Sequence, residues 1–129
     1  MAAGDPMAFT NSPEVTQNTI FTLTAVAADQ DSANGTQVFN FTPAKKKGKA
    51  LIIFNNTTGT ATFSIAAGVG AMAAGAAKTG SMVAGLTAIR IETGRYASSA
   101  GVIAITVTPA AGTKLLTNHA LKVYVAELL

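Results

Sequence analysis

Four side chains able to carry charge or donate a proton, Arg90, Glu92, Arg95 and Tyr96, fall within the seven residues RIETGRY. That density stands out in a chain of 129 residues with only nine bases and six acids. General acid–base catalysis calls for a carboxylate pair or a histidine with a tuned pKa. Here Glu92 is the single acid of the stretch, and the lone His119 lies far downstream with no acid beside it in sequence. A triad of His119 with Ser81, Ser98 or Ser99 lacks the nucleophile elbow that would display its serine. Alternation places Ile89 and Ile91 on one face and Arg90 and Glu92 on the other, about 7 Å apart and within reach of an ion pair. Gly94 is free to take a positive φ as the strand ends. Arg95 can offer its planar fork to exposed carbonyls, and Tyr96 can pack its ring while keeping its hydroxyl wet. The stretch reads as a structural corner first and a binding site second, with no catalytic residue expected.

A second cluster is the lysine run PAKKKGKA, with Lys45, Lys46, Lys47 and Lys49. Three readings apply, in this order: a solvated turn that deters edge-to-edge strand pairing, a dock for an acidic protein surface, and a phosphate contact. Nucleic acid ranks last because no aromatic side chain interleaves the lysines for base stacking. Lys45, Lys46, Lys47, Lys49, Arg95 and Tyr96 are therefore the candidate interaction residues.

Other chemistry is thin. The chain has no cysteine, so disulfides, thiolate catalysis and thiolate metal sites are excluded. DQDSANG resembles half of a calcium loop and reads more simply as a turn. GVGAMAAG lacks the Lys-Ser ending of a phosphate loop and the strand–helix setting of a dinucleotide site. Neither a metal nor a cofactor is expected. Asn34, Asn40, Asn55 and Asn56 satisfy the glycosylation pattern by chance in an Asn- and Thr-rich sequence. No segment reaches the roughly 18 apolar residues of a membrane-crossing helix, and no membrane partner is expected.

The elements that must position these groups are strands. Hydrophobic residues make up 49% of the chain and charged residues 12%. That charge content is about half the usual level for a globular protein, which suggests surface covered by other subunits. Residues 1–18 show no sustained period and read as an extended N-terminal arm; residues 19–129 form one domain. Thr19–Ala27 alternates, with Phe21 and Leu23 on one face. GTQVFNFTP places Phe39 and Phe41 together. KALIIFNN is apolar on both faces, as in a central strand buried on both sides. Asn55–Gly59 reads as a turn returning into TATFSIAAG, where Ala61, Phe63 and Ile65 face inward; that pair is the expected hairpin. Residues 68–85, rich in alanine and glycine, read as a loop with a short strand near Ser81–Ala84, since glycine disfavours helix by about 1 kcal/mol per position. Leu86–Thr93, Val102–Pro109 and Ala120–Leu128 complete the set.

Seven or eight short strands separated by Gly, Asn and Pro indicate an all-β fold, an antiparallel sandwich or barrel of jelly-roll or immunoglobulin-like type. Charge divides unevenly along it. Residues 1–31 hold four acids and no base, whereas residues 32–129 hold nine bases and two acids. Such a split can steer the acidic arm onto the basic body of the same or a neighbouring subunit.

Phe54-Asn55 before a Thr-rich turn, Ala67-Gly68 at a strand end, the corner Gly94-Arg95-Tyr96 and Gly101 opening the next strand together resemble small β-sandwich proteins of tailed phages. Those are head decoration (cement) or minor capsid proteins. The resemblance implies a structural virion protein on the capsid surface, without an active site. It implies contacts with the major capsid protein or other virion proteins and a homo-oligomer, a trimer favoured. The alternatives are a glycan- or host-binding module of a phage tail or appendage, poorly served by two tyrosines and no tryptophan, and an oligonucleotide-binding barrel using the lysine run.

Overall fold

The computed structural model describes residues 2–10, 12–45, 48–70 and 72–128. The chain folds into two open sheets facing one another across a shared core, and among the described residues β-strands supply all the regular structure except one helical turn. In chain order the strands are β1 (Met7–Ala8), β2 (Glu14–Val15), β3 (Val26–Ala27), β4 (Gln37–Phe41), β5 (Lys49–Asn56), β6 (Ala61–Ile65), β7 (Lys78–Met82) and β8 (Gly85–Glu92). The helical turn α1 (Thr93–Tyr96) follows, then β9 (Ile103–Pro109) and β10 (Lys122–Leu128). One sheet runs β1-β4-β9-β6-β7. The other runs β2-β10-β5-β8, with β3 also bridged to β10.

Period-two alternation sends one face of each strand into the core. Phe39 and Phe41 of β4, Ile52 and Phe54 of β5, and Ile103 and Ile105 of β9 are fully buried. Phe54 and Phe63 stack across the two sheets with ring centroids 4.8 Å apart. Such a pair contributes about 0.5–1.5 kcal/mol beyond its area burial. β5 is central in its sheet, as its sequence suggests, but its outer face is only half-buried at Leu51 and Ile53.

Five sequence expectations change. The sheets are mixed rather than antiparallel, because β1 runs parallel to β4 and β2 parallel to β10; both parallel pairs come from the arm. Neither sheet closes into a barrel. The expected hairpin of β5 and β6 is instead a crossing between sheets: β5 pairs with β8 and β10, and β6 with β7 and β9. The buried Asn56 holds that crossing, its side-chain amide donating to the carbonyls of Gly59 and Val83 at 3.1 and 3.3 Å. The strand expected at Thr19–Ala27 shrinks to β3, and Ile20 and Phe21 are exposed. Alternation makes a strand only where a neighbour has free backbone groups. The available side of β10 is taken at its two ends by β2 and β3, and the residues between them leave the sheet. The strand near Ser81–Ala84 lies earlier, at Lys78–Met82.

The arm lies along its own chain. Phe9 donates its backbone N–H to Asn40 and sets its ring against Phe39 and Phe41. Pro13 accepts from the Glu127 N–H, and Glu14 forms an ion pair with Lys45 at 2.9 Å. Asp29 accepts from the Gly4 N–H and from the Gln37 amide, and these two bonds hold its carboxyl below the usual range. The segments β1, β2 and β3 thus cover one flank of the two-sheet stack. The opposite flank is bounded by β7 and β8, joined through Val83–Ala84.

Candidate functional site: a cationic mouth on the open flank

The corner after β8 is built by Thr93, which is fully buried. Its backbone N–H donates to the Gly48 carbonyl at 2.9 Å. Its hydroxyl accepts from the Gly48 N–H at 3.0 Å and lies 3.0 Å from the Lys45 carbonyl. One threonine therefore fastens the lysine loop to the RIETGRY corner. Glu127, also buried, fastens the other side of that loop by accepting from the N–H groups of Ala44 and Lys45 at 3.1 Å. Cross-strand register places Lys49 opposite Glu92.

Gly94 lies inside α1 rather than at a positive φ, so the chain leaves β8 through a helical turn. Arg95 holds the corner through its backbone carbonyl instead of its guanidinium. That carbonyl accepts from Gly68 and Ala74, both at 3.0 Å, which drapes the Ala/Gly-rich loop over the corner. A Cβ at Gly68 would come within 2.7 Å of the same carbonyl, so only glycine permits the approach. The guanidinium is left for the surface.

What results is a concavity of about 490 Å³ at the end of β8. Ile89, Ile91 and Tyr96 supply its apolar lining, and Lys49, Lys78, Arg90 and Arg95 its cations, against the one carboxylate of Glu92. Among the described residues none of these four cations forms an ion pair, and Arg90 and Glu92 do not pair with each other as their spacing suggested. A second, separate concavity of about 460 Å³ lies at Gly94, lined by Val69, Met72 and the 97–101 turn.

Of the residues singled out in the sequence, Lys49, Arg95 and Tyr96 meet in this mouth, joined by Arg90 and Glu92. Lys45 turns to the arm instead, and Lys46 and Lys47 lie outside the described residues. Lys78 was missed. Its charge was visible, but it sits in a monotonous Ala/Gly segment, and only the pairing of β7 with β6 carries it to this flank.

His119 is 1% exposed, away from the mouth. Its Nδ1 lies 2.9 Å from Asn56 Oδ1 and its Nε2 2.8 Å from Thr113 Oγ1. Because the Asn56 nitrogen faces two carbonyls, its oxygen faces the ring and accepts from Nδ1–H, while the Thr113 hydroxyl on the other side also lies 2.6 Å from the Ala110 carbonyl. Both ring nitrogens are taken by neutral groups, which leaves no carboxylate–histidine–serine arrangement around this ring. No group of three or more metal-ligating side chains occurs among the described residues. Asn56, one of the four glycosylation-pattern asparagines, is fully buried.

Compared with known proteins, the chain matches no family model, no curated sequence and no solved structure.

Proposed function

We propose that the protein is a structural component of a tailed-phage virion, decorating and cementing the capsid through contacts with the major capsid protein or other virion proteins. In this reading the two-sheet body is a jelly-roll or immunoglobulin-like sandwich, and the working unit is a homo-oligomer, with a trimer favoured.

The observation that carries the reading is the unequal treatment of the two flanks. The chain covers one flank with its own N-terminal segments and leaves the other with an eight-residue edge strand. Beside that strand stand four cations with no ion-pair partner among the described residues, and the exposed Val83 and Leu86. Unpaired strand edges and clustered apolar groups are features that isolated proteins usually suppress and assembling proteins use.

Two measurements test it: sedimentation equilibrium of the purified 13.0 kDa chain, and immunodetection on purified phage particles from a producing culture. The expected outcome is a mass that is a multiple of the chain, with the protein present on particles. A monomer at every concentration, absent from particles, overturns the reading.

A further inference from the structure

We infer that the free edge of β8 is a strand-addition site for an extended acidic segment of a different protein chain, with carboxylates at alternate positions.

The geometry begins with the edge itself. β8 pairs with β5 along all eight residues and has no strand on its other side among the described residues. The cavity at its C-terminal half is lined by residues of both faces: inward-pointing Ile89 and Ile91, and outward-pointing Arg90 and Glu92. It therefore straddles the strand's hydrogen-bonding edge. An incoming strand would place alternate side chains on the two faces. Those on the inner side meet Ile89, Ile91 and the Tyr96 ring; those on the outer side meet Arg90.

Charge selects the occupant. In a full-length antiparallel register a second copy's β8 would set its Gly85 against Glu92 and leave both cationic mouths unanswered; pairing through the C-terminal halves alone would bring the cations around Arg90 against the same cations, with one Glu92 from each chain as relief. Like charges brought together in this way oppose association. The chain's own acids are also engaged elsewhere: Glu14 with Lys45, Asp29 with Gly4 and Gln37, and Asp31 with Thr117. A nucleic acid would satisfy the cations but leave the strand's backbone groups unpaired and would find one half-buried aromatic ring for stacking. An acidic peptide strand satisfies backbone, apolar floor and cations together. Strand addition rests on the assembly reading for its biological setting, but its test needs no particle, so the two fail separately.

The test uses the full chain and a fluorescein-labelled, terminally capped octapeptide of alternating Val and Glu. Its comparators are the Val/Gln peptide and an oligothymidylate of eight nucleotides. Fluorescence anisotropy reads binding at low and moderate salt, and amide hydrogen exchange reads where it occurs. The expected results are saturable binding of the Glu peptide, at least tenfold weaker binding of the Gln peptide, and slowed exchange of residues 85–92. Arg95→Glu and Arg90→Glu, both at exposed positions, should each weaken binding tenfold or more without changing the unfolding midpoint. Four outcomes overturn the inference: no binding of the Glu peptide, equal binding of the Gln peptide, tighter binding of the oligothymidylate, or binding without protection along β8. The first would mean that the charges on this edge serve to deter strand pairing.

Discussion

Replacing His119 with alanine tests whether this histidine serves the fold. The ring is buried at 1% exposure and bridges two segments, with Asn56 at the end of β5 on one nitrogen and Thr113 in the 110–121 connection on the other. Its carbonyl also accepts from the Thr57 N–H and hydroxyl, but those bonds survive truncation of the side chain. Two losses follow. Deleting a buried aromatic costs about 3–5 kcal/mol for the larger rings, so about 2–3 kcal/mol for imidazole. Asn56 Oδ1, in a fully buried residue, loses its hydrogen bond, at about 1–3 kcal/mol. The expected total is about 3–6 kcal/mol, a drop of roughly 10–25 °C in Tm for a domain of this size. His119→Phe keeps a planar ring, one atom larger than imidazole, and removes both nitrogens, so it should cost about 1–3 kcal/mol for the unpaired Asn56 oxygen and a further increment for overpacking, still less than the alanine variant. Urea unfolding of the two variants and the parent, followed by far-UV circular dichroism, measures both differences. A His119→Ala protein within about 1 kcal/mol of the parent, or a phenylalanine variant less stable than the alanine one, would refute the reasoning.

Further outcomes follow from the corner and the arm. Gly68→Ala forces a methyl against the Arg95 and Ala97 carbonyls and should destabilise by about 1–3 kcal/mol, with faster amide exchange across residues 68–74 as its local signature. Glu127→Gln replaces one of two acceptor oxygens facing the Ala44 and Lys45 N–H groups; a loss of about 2–3 kcal/mol is expected in chemical denaturation, and an unchanged midpoint would contradict the anchoring role. Glu14→Gln removes an exposed ion pair and should change stability by less than about 1 kcal/mol. The Asp29 carboxyl is held below its unfolded value of 3.8, chiefly by the Gly4 N–H and then by Gln37. Its contribution is therefore complete above that pH and is lost as pH falls through the lower folded value. Exchange at the Gly4 amide should accelerate over that acid range, and Asp29→Asn should abolish the dependence.

Alternation alone determined that this is an all-β chain and, for the strands that found partners, which face reaches the core. Phe39, Phe41, Phe63 and Ile65 face inward as their spacing requires, because the two-residue period of a strand is a local property of the backbone. The spacing of RIETGRY likewise announced a corner. Pairing partners are a different matter. Whether β5 meets β6 in a hairpin or hands the chain to the other sheet depends on which distant strands hold its edges, here β8 and β10. The same competition reduced Thr19–Ala27 to two paired residues and drew the arm into parallel contact with both sheets. The mouth, too, belongs to the tertiary structure. Lys78 and Arg95 are separated by a loop and a strand in sequence and become neighbours only because β7 and β8 bound one flank. Periodicity is written residue by residue, whereas an edge exists only after every other strand has chosen its place.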